Sequence, residues 1–342
     1  MRARHNRSMD IGRVSGPALV VEAPAIRRVP PPPGTVTRRK QSWRTRLRRD
    51  KSLLIMTMPA VILVLVFSYL PMFGVATAFQ YYDPVKGFFH SQWLGLENFR
   101  HLFADPLFWQ ALENTLAISA VQLILFFPIP IALAILLNSI LSRRLRSAIQ
   151  SIVYLPHFFS WVLVISIFQQ VLGGGGLVNT FLRRHDMSTW NIMTDPHTFK
   201  LLVTAQAVWK EAGWSIIIFL AALAAIDTAL YEAAAADGAG RWRRMWHITL
   251  PGLRGVIILL LVLRLGSALT VGFEQMFIQR DAVGHDAADV LDTYSYFYGI
   301  KTGDYSFGAA AGLFKSVVSL VLLYGANKVA HLFGQDGLYR KS

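Results

Sequence analysis

Cysteine is absent from the 342 residues, which excludes disulfides and thiolate metal sites. No Gly-x4-Gly-Lys-Ser/Thr stretch occurs either. The run Gly173 to Gly176 lacks the lysine that would reach a phosphate, so it reads as a flexible turn and the chain carries no nucleotide-hydrolysing loop of its own. His247 and His285 stand alone, without partners at metal-ligand spacing. The first residues hold no apolar core before Arg27 and Arg28, which argues against a cleavable leader. Acidic residues are scarce, 20 against 34 Lys and Arg. The imbalance is local, because residues 1–51 carry fourteen basic and three acidic residues and the remainder is close to balanced. A basic tail directly before an apolar run is explained by membrane topology and anionic lipid, so lipid is an expected partner and nucleic acid is not.

What the chain has in abundance is apolar residues, 54% of the total, gathered into runs long enough to cross a bilayer. Each of six runs, near 53–79, 113–139, 150–172, 200–226, 254–279 and 307–331, supplies the ~20 residues that a hydrocarbon core requires. Pro128 and Pro130 predict a kink in the second. The cluster Arg44, Arg46, Arg48, Arg49 and Lys51 precedes the first run, and Arg143, Arg144 and Arg146 fill the loop at 140–149. The loop at 227–253 has Arg241, Arg243 and Arg244, whereas 280–306 sets Asp281, Asp286, Asp289, Asp292 and Asp304 against Arg280 and Lys301. The positive-inside rule then places both termini and the 227–253 loop in the cytoplasm. The 280–306 loop reads as a mobile outer segment whose Asp286 and Asp289 tune contact with an external protein. In the outer loop at 80–112, Trp93 to Arg100 is amphipathic and leads to a helix start at Asp105-Pro106.

One polar interruption is structured. Glu232 to Asp237 is a helix-forming run, Gly238 breaks it, and a second stretch rich in Arg and Trp ends at Pro251. A small alanine face can lie close to another protein, and Glu232 and Asp237 place charges at its ends. Such a loop reads as a docking element; an ordinary interfacial helix is the plain alternative.

Glu232, Ala233 and Ala234, then Gly238, then Ile248, Leu250 and Pro251 fall at a spacing that resembles the EAA loop of binding-protein-dependent ABC importer permeases, with Asp237 and Ala239 flanking the glycine. Tyr154 to Trp161, Gly175 to Asn179, Trp209 to Trp214, Val271 to Gln275, Asp292 to Tyr294 and Gly312 to Ser316 resemble the LplB-like group of polysaccharide and oligosaccharide permeases. The resemblance covers about residues 50–340. It implies an all-α integral membrane protein with the six transmembrane helices of the type I ABC importer permease (MetI-like) fold. The expected organisation is a basic, Pro-containing tail (1–50), a permease domain (51–336) with its EAA loop at 229–253, and a short tail (337–342). Implied partners are a second permease subunit in a heterodimer, two ABC ATPase subunits that use ATP and Mg, and an extracytoplasmic solute-binding protein. The implied cargo is oligosaccharide, uronate-rich fragments included, and the implied location is the bacterial inner membrane. The chain itself is expected to bind no cofactor and to catalyse nothing.

Polar residues at membrane depth are costly and face protein or a water-filled cavity. That points to Glu211 in span four, Arg264 and Glu274 in span five, and Lys315 in span six as a substrate path, with Gln275 adding hydrogen-bonding capacity for hydroxyls. Arg264 lies about 15 Å along its helix from Arg254. A structural ion pair is the competing reading for Arg264, and snorkelling accounts for Lys210. Trp161, Trp209 and Trp214 suit either sugar faces or the interfacial aromatic belt. An ion-coupled secondary transporter would need repeated spans with paired broken helices, which the sequence does not display. A membrane scaffold for ATPases, and an importer permease for amino acids, peptides or phosphate, are further alternatives.

Overall fold

A computed structural model describes residues 50–332 and Gly334; the basic tail up to residue 49 and the segment 337–342 lie outside the described residues. The chain divides into two compact units, one ending at Ile62 and one beginning at Leu63. In the first, the described residues open a helix at Lys51. Among the described residues, six helices are long and apolar enough to cross a membrane: Lys51–Phe79, Pro106–Asn138, Trp161–Arg184, Phe199–Ala224, Arg241–Gly266 and Tyr305–Leu332. They are called spans one to six below.

Proline shapes the spans in a repeated way. Three of the four π-helical segments among the described residues, Leu65–Tyr69, Gln122–Phe126 and Met245–Thr249, end two residues before a proline: Pro71, Pro128 and Pro251. A proline has no N–H to donate, and its ring collides with the carbonyl four residues earlier. That carbonyl lies inside the widened turn in each case, so the π turn absorbs the clash and the helix continues. The kink expected from Pro128 and Pro130 therefore takes the form of a π turn in span two.

Span four is the central element, with 39% of its most apolar window buried, the largest share of any span. Its first turns, Phe199, Leu202 and Val203, pack with Ile118, Ile165, Met276 and Val290 in one core. Its last turns, Ile216, Phe219 and Leu223, pack with Ala134, Leu137 and Leu253 in another. The stretch between the two cores is left to line a cavity.

Several boundaries differ from the sequence reading. Span two begins at Pro106 rather than near 113, and span five at Arg241 rather than near 254. Span three begins at Trp161 rather than near 150. Arg143–Tyr154 is a separate amphipathic helix, and a short turn at Leu155–Phe158 and the cap Ser160, which accepts from Leu163 N at 3.3 Å, intervene. Span five ends at Gly266 rather than near 279. The chain is irregular from Ser267 to Gly272, whose φ is +100°, and a new helix runs from Phe273 to Val283. Hydropathy alone cannot see that break, because residues 267–272 carry no charge. Glu274 and Gln275 consequently belong to this separate helix and not to span five.

The segment read as a mobile outer loop is packed. Arg280 donates to both Asp289 oxygens, at 2.6 and 2.8 Å, with Arg280 6% and Asp289 8% exposed. Thr293 donates to the same carboxylate, and the Arg280 guanidinium lies 3.8 Å from the Phe297 ring centroid. The bond from Arg280 to Asp289 raises the arginine further above its ordinary pKa. Asn114 of span two donates to the carbonyls of Asp286 and Asp289, and Leu291 N donates to Thr115. Burial, reinforced by its bond to Asp105, pushes the Tyr294 hydroxyl well above the usual tyrosine range. Residues 273–294 thus form a wedge anchored to span two, and Asp289 is a core carboxylate rather than a surface one. Asp105 also begins span two as foreseen, accepting from Leu107 N at 2.9 Å. The glycine run, likewise, is a clamped turn. Asn179, fully buried, donates to the carbonyls of Leu172, Gly173 and Trp190 and accepts from Trp190 N.

Candidate functional site

The 227–251 loop, expected from its sequence to dock a partner, folds as local chemistry dictates. Asp227 caps the helix Thr228–Ala236 by accepting from Ala229 N at 2.9 Å. At the other end Ala239 N donates to Ala234 O at 2.8 Å and Gly238 N to Ala235 O at 3.1 Å. These two bonds define a Schellman cap, which requires a left-handed residue at its turn. Gly238 supplies it with φ +74°, and nothing lies within 4 Å of where a Cβ would stand, so conformation and not crowding selects glycine. None of the helix residues is buried. Glu232, Ala233, Ala235, Ala236 and Asp237 are exposed. The chain then passes through Asp237–Gly240 directly into span five, where Ile248, Leu250 and Pro251 occupy the π turn and the start of the regular helix. Tyr231 and Thr249 join across the loop by a 3.0 Å hydroxyl contact.

Span five connects that loop to a cavity of about 490 Å³, lined from spans two, three, four and five and the break that follows span five. The volume is in the range of small-molecule sites. Of the residues proposed from sequence, the structure brings Trp161, Glu211, Arg264 and Gln275 to this cavity. Trp209, Trp214, Glu274 and Lys315 do not line it. Trp209 packs edge-on against Phe168, Trp214 stacks on His157 at 4.7 Å, and Glu274 is exposed. Lys315 is bonded to Asp292.

The polar groups at the cavity fall into three sets. Glu211 forms an ion pair with Lys210 Nζ, 3.2 Å away, and meets His157 Nδ1 at 2.8 Å. Lys210 also donates to the His157 carbonyl at 2.8 Å and is 7% exposed, so it is a buried tie rather than a snorkelling side chain. The register of this set depends on Gly213, where an added Cβ would stand 2.1 Å from the Val153 carbonyl oxygen; only glycine lets the 143–154 helix come this close to span four. Arg264 donates to Gln122 Oε1 at 2.6 Å, and its guanidinium stands 5.5 Å from the Phe126 ring. Gln275 donates to Gln206 Oε1 at 2.7 Å and to Val203 O at 2.9 Å, while Gln206 and Gln279 exchange amide bonds of 3.0 Å. All three glutamines are buried, and together they fix the wedge helix to span four.

Sequence reasoning overlooked Gln122, Gln206, Gln279 and His157.

Residues 125–330 match the family described as the binding-protein-dependent transport system inner membrane component. The chain belongs to that family. The permease is 44% identical over 299 residues to protein LplB of Bacillus subtilis (strain 168), spanning 87% of this chain and 94% of that one. It is 43% identical over 295 residues to the polygalacturonan/rhamnogalacturonan transport system permease protein YteP of the same organism, across 86% and 92% of the two chains. A chain of a bacterial alginate ABC transporter, solved in complex with its alginate pentasaccharide-bound periplasmic protein, superposes with a TM-score of 0.79. That chain is 37% identical, and the match covers 87% of the permease and all of its counterpart. The permease is therefore an inner-membrane transport subunit of the MetI-like fold and not an enzyme.

Proposed function

We propose that the permease forms part of an ATP-driven importer and passes oligosaccharides, delivered by an extracytoplasmic solute-binding protein, through the cavity around Glu211, Arg264 and Gln275. The observation that carries this is the unbroken mechanical line from the exposed, Schellman-capped helix at 228–236 through span five to Arg264. Two ATPase subunits grip that helix here and on a second permease, its partner in a heterodimer. Glu232 and Asp237 meet positive or donor groups of the ATPase, and the alanine face packs into its groove. Closing of the ATPases on ATP displaces the loop, and span five transmits the displacement about 35 Å to the cavity. Both termini and the loop then face the cytoplasm. Relatives whose names specify polygalacturonan, rhamnogalacturonan and alginate support a sugar cargo.

The test is reconstitution in proteoliposomes with the products of neighbouring genes, measuring which oligosaccharides stimulate ATP hydrolysis and accumulate inside. In the same preparation a single cysteine at Ala235 or Ala236, introduced into a chain that has none, should crosslink to a nucleotide-hydrolysing subunit. Uptake that persists without the ATPases, or the absence of any such crosslink, would overturn the reading.

A further inference from the structure

A second pocket lies at the other end of span five. It encloses about 460 Å³ between the end of span two and the first turns of span five, and Tyr231 of the docking helix also lines it. Span two stops and span five starts at this level, so the pocket sits where the hydrocarbon core gives way to water. Its apolar lining comes from Ile135, Leu136, Leu141 and Met245, and its charged groups are Arg241 and Arg244. No acid lines it. Trp242, which is part of the lining, and Trp246 are 71% and 61% exposed, as aromatic rings at headgroup level are.

These arginines stand where a cation is least favoured. Arg241, Arg243 and Arg244 fill the first turn of span five with no acid among them, and the N-cap residue, Gly240, has no side chain to accept from the free N–H groups. The positive end of the helix dipole thus adds to the guanidinium charges. The helix Arg143–Tyr154 repeats the arrangement, opening with Arg143, Arg144 and Arg146 and no acid in its first turn. Arg143 is only two residues from the pocket residue Leu141. Elsewhere the chain pairs its cations, Arg280 with Asp289 and Lys315 with Asp292. Neither the Arg241 nor the Arg244 side chain has a hydrogen-bond or ion-pair partner among the described residues. The nearest acids along the loop, Glu232 and Asp237, are exposed and lie outside the lining.

An anion in this pocket meets two guanidinium groups and the free N–H groups of a helix start. A free phosphate would use those donors alone, whereas a lipid also covers the apolar lining. Basic pockets between membrane helices hold anionic headgroups on the cytoplasmic side. We infer that the pocket between the end of span two and the start of span five binds an anionic phospholipid, with its phosphate on Arg241 and Arg244 and its acyl chain along Leu136, Leu141 and Met245. This goes beyond the import reading and does not depend on the cargo. Tyr231 and Thr249, whose hydroxyls meet at 3.0 Å, both line the pocket, so the lipid braces the docking helix against span five.

The experiment places the intact complex of permeases and ATPases in nanodiscs doped with photoactivatable phosphatidylglycerol or, separately, with phosphatidylcholine of the same chains. Labelled peptides are mapped by mass spectrometry. Phosphatidylglycerol should label 135–141 and 241–249 about tenfold more than phosphatidylcholine does, the preference expected of two charge-assisted contacts. Combining Arg241→Gln with Arg244→Gln should bring the two lipids to parity, while the corresponding lysine pair should keep most of the preference. Ser139→Trp puts bulk into the pocket without altering a charge, and should lower labelling by both lipids. Equal labelling of the wild type by the two lipids overturns the inference, as does a preference undiminished in the double glutamine variant. Phosphatidylglycerol labelling that disappears on adding inorganic phosphate assigns the site to a free anion and overturns it. Labelling found only in complexes stripped of the ATPases means that a protein covers the arginines, which overturns it as well. Should the double glutamine variant fail to assemble, Ser139→Trp decides, with undiminished labelling refuting the site. Labelling requires no transport, so a complex that moves a different solute fails the import reading and leaves this result readable.

Discussion

The docking helix Thr228–Ala236 and the wedge helix Phe273–Val283 have similar lengths and opposite economies. The first buries none of its residues and owes its shape to a cap at each end. The second buries Gln275, Met276, Gln279, Arg280 and Val283 and is held by bonds to span four and to the segment that follows it, which is itself tied to span two. The helix proposed to be gripped from outside keeps its surface free and takes its order from local backbone chemistry. An element that closes one end of a cavity takes its order from distant partners. Mutations should therefore separate stability from transport in one helix and not in the other.

The sharpest break belongs to the wedge. Asp289→Ala strands a buried guanidinium, and removing one member of such a pair should cost about 3–5 kcal/mol. Thermal unfolding of the detergent-purified subunit should drop accordingly, and uptake should vanish with the folded protein. Gln206→Leu removes the amide that both Gln275 and Gln279 address, leaving buried donors unmet at about 1–3 kcal/mol. A lower unfolding temperature together with faster hydrogen exchange in 273–283 would verify it. On the docking side, Gly238→Leu forces a branched side chain into the left-handed turn at about 1–2 kcal/mol. The subunit should still insert and melt nearly as the wild type does, while ATPase association and uptake are abolished. Normal uptake in that variant would erase the proposed distinction between the two helices. The smallest effect is that of Asp227→Ala, which deletes an N-cap worth about 1 kcal/mol. It should fray the docking helix, reduce uptake only partly, and leave wedge exchange unchanged.

The same contrast explains what could be read from the chain. The shape of the 227–251 loop was legible as far as Gly238, because capping and helix propensity act over a few neighbouring residues; Pro251, read as the end of the second stretch, instead lies within a helix that continues to Gly266. The six spans were legible from hydropathy, but the break at Ser267–Gly272 was not, because an uncharged irregular stretch looks the same as helix to a hydropathy window. Asp289 and Lys315 were misread for a different reason. A charge in a polar-looking loop or a span has the same letter whether it faces water, cargo or an ion-pair partner, and Arg280 and Asp292 declare themselves only when the chain is folded. Trp161 and Arg264 could be nominated as path residues, yet Trp209 and Trp214 could be nominated on equal grounds, and only packing separates them.

The π turns ahead of Pro71, Pro128 and Pro251 have one more effect. Each places an additional residue in a single turn, and one residue of an α-helix corresponds to about 100° of azimuth. Everything beyond such a turn is swung round by that angle relative to an uninterrupted helix, so a helical wheel drawn straight through span five assigns Arg264 to the wrong side. Deleting one residue within Met245–Thr249 would return the helix to ordinary winding and swing Arg264 away from Gln122, silencing the cavity with no side chain in it altered.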